Sequence, residues 1–92
     1  MYAIQIKIPG PLRSKVAGQV QVQAYGATVG EVLCSLQNTH SELAHALLTQ
    51  EGQLRSFVVL YLGSRNINSL AGLQTPLSAG SVLKLVQAIV GG

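Results

Sequence analysis

Tyr2, Ile4, Ile6 and Ile8 alternate with Ala3, Gln5 and Lys7, the period-two signature of a strand with one face buried. Pro9-Gly10-Pro11 ends it, because proline has no N–H to give to a ladder. Leu12–Gly18 is predicted to be a loop. In "QVQVQA" (19–24) alternation resumes, with Val20, Val22 and Ala24 expected inward and Gln19, Gln21 and Gln23 outward. A short connection between two such runs predicts an antiparallel hairpin.

At Thr28 the period changes. Val29, Val32, Leu33 and Leu36 fall at i, i+3, i+4 and i+7, one stripe of a helix. Thr28-Val29-Gly30-Glu31 has the form of a capping box, in which hydroxyl and carboxylate satisfy the free N–H groups of the first turn. The "NTHS" stretch is poor in helix formers, and Ser41 is placed to cap a second, short helix. Gly52 closes the helical region. "LRSFVVLYL" (54–62) is β-branched and aromatic and predicts a strand. Gly63–Asn66 is then a turn, Ile67 the start of a short strand, and the segment to Gly80 irregular or 3₁₀. Val82–Ile89 forms the final strand. The order β-β-α-β-β-β predicts an α+β domain: a mixed sheet of four to five strands with one main helix packed on one face. Most packings of this order set the last strand beside the first, so residues beyond it project from a firm anchor.

Composition narrows the class. The chain has 92 residues, 48% of them hydrophobic and 10% charged. These totals suit one domain over 1–92 and exclude a solvated, disordered tail protein. The longest apolar run, Phe57–Leu62, is far below the ~20 residues that span a bilayer, and the first residues lack a signal-peptide pattern. No membrane partner is expected. The single cysteine, Cys34, forbids an internal disulfide and suits a reducing, cytoplasmic location. Lys7, Arg13, Lys15, Arg55, Arg65 and Lys84 are scattered; a nucleic-acid surface concentrates such residues, and no nucleic-acid partner is expected.

The hairpin, the "TVGEVLCSL" helix, "PLSAG" before the last strand and the terminal "IVGG" together resemble the ubiquitin-like β-grasp sulfur carriers of the ThiS/MoaD family. Further motifs resemble the type that serves cysteine synthesis. They are Ile8-Pro9 with Leu12-Arg13, Gly18-Gln19, Gly52-Gln53-Leu54, Phe57-Val58, Tyr61, Gly72–Thr75 and the end Ala88–Gly92. The resemblance covers nearly the whole chain. It implies that the Gly92 carboxylate is adenylated by an E1-like enzyme that consumes ATP. The adenylate then becomes a thiocarboxylate that donates sulfur, most suitably to a pyridoxal-phosphate-dependent synthase. Val90, Gly91 and Gly92 would form a flexible tail, the glycines suiting a narrow partner site that a Cβ would obstruct. Ser81 and Gln87 depart from the family, which often has an acid and a proline there; neither position is chemical, and both bear on the choice of partner. Within the resemblance, sulfur transfer to molybdopterin or thiazole, a lysine-conjugating modifier and a non-catalytic adaptor are the rival readings.

The other reactive residues point to no enzyme. Cys34 lies about 140° from the centre of the apolar stripe on a helical wheel and has no activating neighbour at helical spacing. His40 and His45 miss the i, i+4 spacing of paired metal ligands, and Glu31, Glu42 and Glu51 are dispersed. His40 falls on the extended apolar stripe and is expected to be partly buried. Neither a bound cofactor nor a metal is expected, and the free chain should be a monomer. Around the central strands the pattern is apolar on both faces. With Val58, Leu60, Leu62, Leu83, Leu85 and Ile89 turned to the helix, Phe57, Val59, Tyr61, Val82 and Val86 are left outside beside Lys84. Such a patch is a candidate partner-binding surface.

Overall fold

A computed structural model describes residues 2–87. The first strand, β1 (Tyr2–Lys7), pairs antiparallel with β2 (Gln21–Gly26), from Tyr2 opposite Gly26 to Lys7 opposite Gln21. Ile4, Ile6, Val22 and Ala24 point inward and are buried. The connection is no open loop: Gly10–Val16 winds as a 3₁₀ helix with Pro11 in its first turn, a place where the missing N–H costs nothing. It buries Leu12 and Val16 and ends at Ala17, which takes the left-handed conformation (φ 56°). This winding corrects the expectation for Val20. The chain bends there, so the Val20 side chain is 61% exposed while its carbonyl accepts a hydrogen bond from the Ile8 N–H at 2.9 Å. Leu12 and Val16 supply buried apolar atoms in its stead.

Helix α1 spans Val29–Thr39 and buries Val29, Val32, Leu33 and Leu36. The Thr28 hydroxyl accepts from the Glu31 N–H at 3.2 Å, and the Glu31 carboxylate accepts from the Ala27 N–H at 2.9 Å, one residue further out than in the simple capping box. The break before α2 (Ser41–Leu47) falls as expected, but His40 rather than Ser41 occupies the capping position. The α2 face of Leu43, Ala44 and Leu47 is buried. A tight turn then bonds the Thr49 N–H to the Gln53 carbonyl at 2.7 Å, with Leu54 bridged to Leu48. Leu54 is thereby engaged elsewhere, and β3 (Val58–Leu62) starts later than its composition suggests.

Strand β4 is only Arg65–Asn66, turned back onto Tyr61 and Leu62 through Gly63 (φ 64°). Ile67 opens a 3₁₀ helix rather than a strand, because the Asn66 Oδ1 accepts from the Asn68 N–H at 2.9 Å and starts the tighter winding. Buried Thr75 staples the following segment: its hydroxyl donates to the Gly72 carbonyl at 2.7 Å, and its carbonyl accepts from the Val29 N–H at 3.1 Å. Strand β5 (Val82–Gln87) lies between β1, parallel to it, and β3, antiparallel to it. The sheet order is β2-β1-β5-β3-β4. With α1 packed across its inner face, this α+β arrangement is the β-grasp fold. Expected strand residues Ala88 and Ile89, and the tail Val90, Gly91 and Gly92, lie outside the described residues.

Candidate functional site

The last described residue of β5, Gln87, stands opposite Val58 at the start of β3. Leu83 and Leu85 are 0% and 2% exposed, so β5 is fixed by hydrogen bonds on both edges and by core contacts on one face. The position of Gln87, the last described residue, is thereby fixed beside the start of β3.

The alternate residues of β5 and β3 form the outer face. Val59 stands directly opposite Val86, and Tyr61 opposite Lys84. Val82, 39% exposed, is level with Gln5 on β1, and Lys84 is level with Lys7. Val59, Tyr61 and Val86 are half-buried, since cross-strand neighbours shield one another. Phe57 sits apart from this row. It lies in the turn before β3, and its partly buried ring packs against the core cluster. The outer row therefore consists of Val59, Tyr61, Val82 and Val86, interrupted by Lys84.

Other reactive side chains do not converge. Cys34 is exposed. His40 is half-buried, its Nδ1 3.0 Å from the Thr39 hydroxyl, while His45 is exposed on α2. The described residues contain no group of His, Cys, Asp or Glu able to hold a metal ion. A pocket of about 370 Å³ beside α2 is lined by Gln37, Ser41, His45 and Arg55 among others, but the Arg55 Nε–H is spent on the His45 carbonyl at 3.2 Å. No described helix is long and apolar enough to cross a membrane.

The described residues thus form a β-grasp sheet with β5 between β1 and β3 and an apolar row on its outer face. The model of the ThiS family matches residues 6–92. The chain belongs to that family and is a sulfur carrier, not an enzyme. The sulfur carrier protein CysO of Mycobacterium tuberculosis is 30% identical over 91 residues, covering 97% of this chain and 98% of its own. The CysO of Amycolatopsis orientalis, solved in a complex with BexX, superposes with a TM-score of 0.85 at 28% identity, over 97% of this chain and 99% of that one. SAMP1 from Haloferax volcanii gives 0.79 at 26% identity, over 98% and 99%.

Proposed function

We propose that Gly92 is the sulfur-bearing residue. Its carboxylate oxygen attacks the α-phosphate of ATP on an E1-like enzyme, releasing pyrophosphate and leaving an acyl adenylate. Hydrosulfide supplied by the sulfur donor then attacks the same carbonyl carbon, AMP leaves with the C–O bonding electrons, and loss of the S–H proton gives a thiocarboxylate. Activation is needed because a free carboxylate offers no leaving group. The carrier contributes the acyl carbon and a recognisable body, and binds no cofactor of its own. The likeness to CysO supports cysteine or a related amino acid as the destination, through a pyridoxal-phosphate-dependent synthase acting on a serine-derived acceptor in the cytoplasm. The free protein acts as a monomer.

One observation carries this reading: β5 is anchored at the centre of the sheet, and the family match runs on from it to residue 92. A second reading, in which Gly92 forms isopeptides with lysines, draws on the likeness to SAMP1, whose name stands for small archaeal modifier protein.

Incubation with the host's E1-like enzyme, ATP and a sulfur donor should replace one Gly92 oxygen by sulfur, seen by intact mass. A chain extended by one alanine past Gly92 should stay unmodified. Conjugates to lysine without any thiocarboxylate would favour the modifier. A wild-type chain that no activating enzyme of the host adenylates would sink the carrier mechanism.

A further inference from the structure

A groove of about 690 Å³ runs across the end of β1 and β5 and shares Val86 with the apolar row. Its lining includes Lys7, Arg13, Val20, Lys84, Val86 and Gln87, with Pro9 and Pro11 among the wall residues. Lys7 and Lys84 are register neighbours on the parallel β1–β5 ladder. Two like charges side by side on adjacent strands cost stability, and among the described residues the lining offers no carboxylate side chain to offset it. All three acidic side chains lie elsewhere: Glu31 in α1, Glu42 in α2 and Glu51 in the turn after α2. Arg13 is held at the rim, its Nε–H donating to the Ile8 carbonyl at 3.1 Å, and this leaves its terminal nitrogens for a partner. Between the cations the surface is apolar. Ile8 and Leu85 are almost wholly buried beneath it, Val20 is 61% exposed, and the two prolines hold their stretch of backbone stiff.

We infer that this groove docks an acidic segment of the protein partner, one that sets carboxylates on Lys7, Lys84 and Arg13 and an aliphatic side chain against Val20 and Val86. The inference rests on the carrier reading only in supposing that a partner holds the body during chemistry at the tail. Charge complementarity selects this occupant: the described lining is cationic, carries no acidic side chain and is apolar between its charges. A nucleic acid fits less well, since the lining offers no aromatic ring on which a base would stack. Electrostatic complementarity of this kind mainly sets partner choice and association rate. The position of Gln87 in the lining puts the docked segment beside the last described residue of β5.

The test titrates the full chain, followed by amide ¹H–¹⁵N spectra, with a short amidated peptide of aspartates and glutamates around one leucine. Shifts confined to Lys7, Val20, Gln21, Lys84, Val86 and Gln87 are expected. The Lys7→Glu/Lys84→Glu variant should weaken binding on the order of tenfold or more, and Arg65→Glu, a charge reversal outside the groove, should not. Arg13→Gln is a second, milder variant should the double one unfold, with the same direction expected. With the activating enzyme, the double variant should raise the KM for adenylation and leave kcat unchanged. Shifts spread over the whole surface, equal binding of an asparagine–glutamine version of the peptide, equal loss with Arg65→Glu, or preferential seating of a single-stranded oligonucleotide in the groove would each overturn the inference. So would an unchanged KM. A wild-type chain that is never adenylated counts against Gly92 as the sulfur site, and the peptide titration alone then decides the groove.

Discussion

At Gly26 a Cβ would stand 2.6 Å from the Val32 nitrogen and 2.8 Å from the Glu31 Cβ. The end of β2 therefore presses directly on the first turn of α1, and only a residue without a side chain lets the helix sit so close. Just beyond, Thr28 and Glu31 satisfy the free N–H groups of that turn. Two costs should separate here. Gly26→Ala must push backbone against backbone, which in a packed interior costs about 1–3 kcal/mol. Thr28→Ala loses one capping bond, about 1 kcal/mol. Gly10 has no atom within 4 Å of its virtual Cβ and no left-handed backbone, so Gly10→Ala is the control. Denaturant unfolding of the three variants provides the check, and a Gly26→Ala protein as stable as Gly10→Ala would refute the close approach.

Strand β5 should be the last element to open. It has partners on both edges and its inner side chains are Leu83 and Leu85, whereas β4 offers two residues at an edge. Native-state hydrogen exchange should show the Leu83 and Leu85 amides opening only with global unfolding. The Arg65 and Asn66 region should exchange roughly tenfold faster or more. Equal protection would mean that the central strand is no special anchor. What anchors β5 was legible in the residues: alternation set the parity of β1, β3 and β5, and the Thr28–Glu31 pair set the start of α1. Other features were hidden because they depend on contacts distant in sequence. Pro11 and turn-forming neighbours suggested a loop where a 3₁₀ helix buries Leu12 and Val16, and Val20 kept the alternating pattern although the chain bends away beneath it. Leu54 looked like the start of β3 but is taken by Leu48, and Phe57 is drawn from the strand row toward the core by a second turn, closed by the Val58 N–H on the Arg55 carbonyl. The cationic groove left no trace in the order of residues, since Lys7, Arg13 and Lys84 meet only when β1 and β5 pair.

On the scale of the whole molecule the two faces of the sheet have different duties. The inner face and α1 hold the fold, and the outer row of Val59, Tyr61, Val82 and Val86 runs along β5 and β3 toward Gln87. Val86→Asp should separate these duties. Opposite it stands only Val59, and a cross-strand pair of this kind contributes about 0.2–1 kcal/mol. Because Val86 is half-buried rather than open, some desolvation of the new carboxylate adds to that, and a total near 1 kcal/mol of lost stability is expected. Binding to an activating enzyme should suffer more, by ~2 kcal/mol or beyond, since a packed apolar anchor is replaced by a charge inside an interface. Val82→Asp, at the more exposed far end of the row, should shift stability by no more than about 0.5 kcal/mol, with a smaller binding loss because it lies further from the tail. Thermal unfolding and binding curves for both variants decide the matter. If Val86→Asp bound as the wild type does, the outer row would be no docking surface; if it failed to fold, this position would belong to the core.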